Sequence, residues 1–168
     1  MPSSFTVLPY SKCYATAVSN IFHESIHHLD DDVYSCDDKS AWSAAPRSSY
    51  HWNKRLSRSQ AWVVLDVSCS VNGKPRCCGF INVETQFYSQ GYIDSLYVHP
   101  DYQGKGVAHK LYETLEHWAS EQGFSALSVD ASKASKALFL SRGFKLRHKS
   151  YQEKLGRIIM GFLMEKEL

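Results

Sequence analysis

Residues 93–111 read IDSLYVHPDYQGKGVAHKL, and the fold follows from how that stretch is parsed. Ile93 to Val98 is rich in β-formers and predicts a buried strand. Pro100 breaks it, and a glycine-bearing turn leads directly into VAHKLYETLEHWASEQG. There Val107, Leu111, Leu115 and Trp118 form one apolar stripe at helical spacing, and Gly123 is placed to close the helix. A turn that enters a helix presents backbone N–H groups without intrahelical acceptors at the positive end of the dipole. It therefore favours an anion such as a phosphate. Gly104 and Gly106 let a large anionic group approach the backbone, and Lys105 adds positive charge. The turn is no P-loop, because Lys105 is followed by Gly106 and Val107 rather than Ser or Thr. It is a poor Rossmann fingerprint too, since His109 stands at the third glycine position and hairpins precede it.

Working outward, AWVVLDVSC and CCGFINVE are strand-like and flank Asn72-Gly73, a hairpin signal. Before them, FTVLPY suits a first strand. Residues 11–28 carry Ala15, Val18, Ile21, Phe22, Ser25 and Ile26 at helical spacing, with Leu29 just beyond. The polar and aromatic stretch 30–60 predicts one short helix among loops. After the long helix come a short strand at ALSVD, a short helix at SKASKALFLSR ended by Gly143, and two strands around EKLGR. The order predicts an α+β (mixed α/β) fold: a largely antiparallel sheet of six to seven strands flanked by about four helices.

A chain of 168 residues with 43% hydrophobic, 13% aromatic and 21% charged residues suits one globular domain. A net charge of +2 without long basic runs argues against nucleic acid as a partner, and no apolar run could cross a membrane. MPSSFTVLPYSK lacks the pattern of an export signal. The five cysteines, Cys13, Cys36, Cys69, Cys77 and Cys78, contain no C-x-x-C pair. They fit small core residues in a reducing, cytoplasmic protein.

FHESIHH, residues 22–28, contains H-E-x-x-H, the spacing that sets two histidines around zinc on one helix face. A zinc hydrolase also needs a third ligand. Asp30 and Val33 occupy the glycine and last-histidine positions of the extended motif, and no glutamate lies between Glu24 and Glu84. No metal is expected, and His23 and His27 are expected to flank an acceptor cleft instead.

The turn itself, Gln103-Gly104-Lys105-Gly106-Val107-Ala108, resembles motif A of the GNAT superfamily of N-acetyltransferases, [QR]-x-x-G-x-[GA], and matches every defined position. LYVHPDY before it and FLSRGF after it resemble the family's flanking signatures, so the likeness covers residues 60–168. SAW at 40–42, LSVDASKAS and MEKEL look like the bacterial YafP-like branch. The resemblance implies a sheet whose fourth and fifth strands splay apart to admit acetyl-CoA. It assigns residues 1–60 to the acceptor side and 61–168 to acetyl-CoA binding.

By match of position, Leu96, Tyr97 and Val98 would meet the acetyl-pantetheine arm, and the amides of Gly104, Lys105, Gly106, Val107, Ala108 and His109 would hold the pyrophosphate. Gln103 completes the motif, and Ser132 and Phe139 line the cofactor from the strand and helix beyond. The implied reaction is direct attack of a primary amine, expected to be that of a small molecule, on the thioester through a tetrahedral intermediate. The implied alternatives are protein or peptide N-acetylation, or a non-catalytic acyl-CoA-binding module.

Asp94 is the first choice of base; on a period of two it shares a face with Tyr92, Leu96 and Val98. Glu84 and Asp130 are further candidates. Phe139 stands where many relatives carry an acidic tyrosine, so Tyr97, Tyr92 or Tyr151 would substitute, or the thiolate leaves unaided. His23, His27, Trp42, Tyr50 and Trp52 fall on the implied acceptor wall, which would suit a flat or hydrophobic amine. Domains of this family are often homodimers, and no interface pattern is readable in the sequence.

Overall fold

The computed structural model describes residues 4–168. Seven strands form one sheet in the order β1-β2-β3-β4-β5-β7-β6. They are β1 (Phe5–Pro9), β2 (Gln60–Val71), β3 (Lys74–Val83), β4 (Tyr92–Val98), β5 (Ala126–Ser132), β6 (Lys145–Lys154) and β7 (Arg157–Glu167). Every neighbouring pair is antiparallel except β4 and β5, which are parallel. The helices are α1 (Ala15–His27), α2 (Cys36–Trp42), α3 (Ser49–Ser57), α4 (Val107–Glu121) and α5 (Lys136–Ser141). The polar stretch 30–60 thus holds two helices rather than one. Ser35 and Ser48 start them, each accepting from the amide three residues on.

The sheet is buried on both faces by alternation. On β2, Trp62 and Val64 join the cluster under α4, whereas Ala61, Val63 and Leu65 join the one under α1 and α3. The stripe Val107, Leu111, Leu115 of α4 is buried, with Tyr112 and Ala119 beside it. The equivalent stripe of α1 buries Ala15, Val18, Ile21, Phe22 and Ile26. Both hairpin turns sit in the left-handed region, Asn72-Gly73 as the sequence predicts and Leu155-Gly156 between β6 and β7.

The cysteine reading needs correction. Only Cys78 is buried; Cys13 and Cys36 are exposed, and Cys69 and Cys77 lie between. Burial pushes the Cys78 thiol up to about 12, so it stays protonated as a core residue. No helix of the described residues is long and apolar enough to cross a membrane.

Candidate active site

Strands β4 and β5 pair only at Tyr92 with Ser128 and Ile93 with Val129, and then diverge. The β3 side of β4 stays bonded: the His99 N–H donates to the Cys78 carbonyl at 2.8 Å. Alternation along an antiparallel ladder then turns the peptide groups of Leu96 and Val98 to the opposite edge, toward the gap. Consistently, the Val98 carbonyl accepts from the Gln103 side chain at 3.3 Å. Leu96, Tyr97, Val98, Gln103, Ala108, Ser132 and Leu138 line a cavity of about 300 Å³ in this opening.

The turn after β4 closes one end of the opening. Gly104 and Gly106 have φ of +74° and +78°, and a Cβ at either would meet no atom within 4 Å. Glycine is therefore required by conformation, not by crowding from the protein. The Lys110 N–H is the first of the helix to find a backbone partner, Gly106, at 3.1 Å. The amides of residues 104–109 donate to no acceptor among the described residues. Here the Val107 side chain is buried in the core, leaving its backbone to the turn. Lys105 stands over the Tyr102 ring, and His109 accepts from Arg142 at 3.1 Å.

Deeper in the opening, a narrower recess of about 70 Å³ is lined by Trp42, Asp94, Leu96, Tyr97, Asp130 and Phe139. Its geometry corrects the expected facing of Asp94. One step along β3, from Asn82 to Val83, spans two on β4, from Ser95 to Ile93, so Asp94 is an extra, bulged residue. The bulge breaks the period of two. Leu96 and Val98 pack toward the α4 cluster, while Asp94 turns to the α1/α3 side with Tyr97, away from Leu96 and Val98.

There the Arg55 Nε donates to Asp94 Oδ2 at 2.8 Å, and Asn82 Nδ2 lies 3.5 Å from the same oxygen. Arg55 belongs to no sequence motif; only the packing of α3 brings it to β4. Burial and the neighbouring Asp94 charge push the Glu84 carboxyl above its ordinary value, against the opposing pull of Arg55. The Tyr97 ring packs on Phe22 and stacks on Phe80, with centroids 4.7 and 5.7 Å away, and burial raises its hydroxyl pKa strongly. The Tyr92 hydroxyl donates to Asp130 at 2.8 Å.

Other predicted residues take structural posts as well. Phe139 is buried against Tyr112 and Phe144 while forming part of the recess floor. Ser132 and Ser135 exchange amide-to-hydroxyl bonds at 3.0 and 3.1 Å, which fixes the entry to α5. Tyr151 is 63% exposed on β6. Of the aromatic acceptor wall, Trp42 lines the opening; Trp52 is core and Tyr50 is exposed. His23 and His27 do not converge on a shared open position. Each is bonded to Ser43, at 2.7 Å, one through the hydroxyl and one through the carbonyl.

The model of the acetyltransferase (GNAT) family matches residues 23–144. The chain belongs to this family. The uncharacterized N-acetyltransferase YafP of Escherichia coli strain K12 is 32% identical over 144 residues, covering 86% of this chain and 83% of YafP. A GCN5-related N-acetyltransferase structure from Rhodopseudomonas palustris, described in its name as an aminotransferase, class-II, superposes with a TM-score of 0.84 at 30% identity. The match covers 100% of this chain and 98% of that one. At 18% identity, the putative acetyltransferase yncA of Salmonella typhimurium, solved with its cofactor acetyl-CoA, shares the fold with a TM-score of 0.71 over 99% and 95% of the two chains. The splayed seven-stranded sheet is therefore the fold of this family.

Proposed function

We propose that the protein is an acetyl-CoA-dependent N-acetyltransferase acting on a primary amine of a small molecule. The observation that carries this reading is the placement of the free β4 edge beside the unbonded amides of residues 104–109. The fit to acetyl-CoA rests on three features of this chain. The amides at the start of α4 suit a pyrophosphate, since they are oriented donors at a positive helix end. The empty space beside Gly104 and Gly106 admits its oxygens. The Leu96 and Val98 peptide groups suit the amides of a pantetheine arm, which would lie along β4 like an added strand.

Acetyl-CoA supplies the activated acetyl group. The chain supplies orientation, a polar backbone edge and proton transfer. In this reading the Val98 N–H stands as donor to the oxygen on which charge develops. Asp94 lines the recess, and Glu84, whose carboxyl feels the Asp94 charge, is raised in the direction that a proton acceptor near neutrality needs. Asp94 Oδ2 is engaged by Arg55 and Asn82, while Oδ1 accepts no hydrogen bond among the described residues. The Tyr97 hydroxyl, held protonated by burial, is the donor to the departing thiolate, the task that Phe139 has no group to perform.

The test is thiol release from acetyl-CoA with a panel of small primary amines, against peptides bearing free N-termini and lysines. Amine-dependent release with small molecules is expected. Release only with peptides would move the reading to protein acetylation. Tight acetyl-CoA binding with no release on any amine would replace the enzyme with a binding module.

A further inference from the structure

A second recess, of about 40 Å³, opens between Tyr34 and Trp42 on one side and β6 on the other. Ser150, Gln152 and Lys154 line it at a spacing of two, so one face of β6 presents all three. Ser150 and Lys154 are partly buried there, whereas Tyr151, Gln152 and Glu153 between them are exposed. Trp42, Asp130 and Ser132 line both this recess and the deeper one beside β4, so the two lie side by side.

Two of its groups lack partners. Ser150 Oγ is buried and makes no hydrogen bond among the described residues. Lys154 is half-buried, and none of the ion pairs among the described residues includes it. The nearby carboxylates are engaged elsewhere, Asp130 by the Tyr92 hydroxyl and Asp94 by Arg55, each at 2.8 Å. Burial, Arg55 and Arg47 push the Lys154 ammonium below its ordinary pKa, while Asp94 pulls the other way. The one carboxylate that acts on this half-buried ammonium, Asp94, is already paired with Arg55, so Lys154 has no ion partner of its own, and a poorly compensated charge away from water is costly. The recess exceeds the roughly 10–15 Å³ that a single water needs, and so has room for a carboxylate-sized group.

We propose that this recess binds a carboxylate of the acceptor, with Lys154 as its ion partner and the Ser150 hydroxyl as a second donor. The acceptor is then an amine that also carries a carboxylate, such as an amino acid. The assignment of this ligand as acceptor rests on the acetyltransferase reading. The anion site stands on its own geometry. A carboxylate held at Lys154 leaves the rest of a small molecule to extend past Trp42 and Asp130 toward β4.

The experiment is calorimetric titration of N-acetylglycine, N-acetylleucine and N-acetylphenylalanine, each against its own carboxamide, into the protein with and without CoA. Lys154→Met and Lys154→Arg are measured in parallel, and acetyl-CoA affinity is measured for every variant. At least one carboxylate is expected to bind about tenfold or more tightly than its carboxamide. Lys154→Met should abolish that preference, Lys154→Arg should keep most of it, and acetyl-CoA affinity should be the same in all three. Equal binding of every acid and amide, or a preference that survives Lys154→Met, overturns the anion site. Acetyl-CoA binding without a carboxylate preference overturns this inference alone. A carboxylate preference without acetyl-CoA binding overturns the acetyltransferase reading and leaves the anion site standing.

Discussion

Gly106→Asp separates the role of the turn from its contribution to folding. Gly106 is the residue before α4, at φ +78°, and a Cβ added there would have no atom within 4 Å. A side chain at this position meets no protein obstacle. Its structural cost is the left-handed conformation alone, about 1 kcal/mol. For a chain of this size that lowers Tm by about 2–4 °C. The functional cost is larger. A carboxylate about 6 Å from a pyrophosphate charge, at an effective dielectric of about 20, repels it by about 3 kcal/mol, or about 10²-fold in Kd.

Gly106→Ala carries the same backbone cost without the charge, so the difference between the two variants isolates electrostatics. Isothermal titration with acetyl-CoA reads affinity, and a thermal melt of the same samples reads stability. The expected pattern is similar Tm values for both variants, with the Asp variant about a hundredfold weaker than the Ala variant. Asp and Ala variants binding acetyl-CoA alike, within about threefold, would refute the placement of the anion at this turn.

Other substitutions test the recess. Arg55→Met leaves Asp94 without its guanidinium in a half-buried setting, and should cost about 1–2 kcal/mol in denaturant melts, between the values for exposed and buried pairs. It should also lower kcat/KM while leaving acetyl-CoA affinity intact; an unchanged kcat/KM would remove the pair from the active site. Glu84 has a raised pKa in the fold, so its ionisation opposes folding. The associated stability is present at pH below the unfolded carboxylate value and is lost as pH rises through the folded one. Glu84→Gln should therefore raise Tm at pH 7 with little change near pH 3.5, and flatten the acid limb of kcat/KM if Glu84 takes the proton; a lowered Tm at pH 7 would contradict the assigned cause. Tyr97→Phe keeps the ring packing on Phe22 and Phe80 and removes only the hydroxyl. Loss of a general acid costs about 10²–10⁴-fold in kcat, and a kcat within threefold of the parent would exclude Tyr97 from that role.

Much of the fold is legible because its determinants are local. The turn of residues 103–106 and the helix after it, the Asn72-Gly73 hairpin, and the apolar stripes of α1 and α4 each depend on residues a few positions apart. Backbone sterics and short-range periodicity decide such features wherever they fall in a chain. The gap between β4 and β5 is foreseen only through resemblance, since the end of pairing at Ile93 and Val129 depends on how two distant strands meet.

What tertiary structure alone decided is which groups face each other across that gap. A strand pattern read in isolation puts Asp94 with Leu96 and Val98. The register against β3 inserts Asp94 as a bulge and sends it to Arg55 instead. Arg55 comes from a helix 39 positions earlier, and Lys154 from a strand that reaches the same region by way of β7. Neither residue sits in a motif, because an ion pair or an unmatched charge needs only proximity, and proximity between distant segments is set by packing of the whole sheet. The sequence by itself determined the glycine turn at the start of α4 and the elements around it; the folded sheet determined which side chains stand opposite.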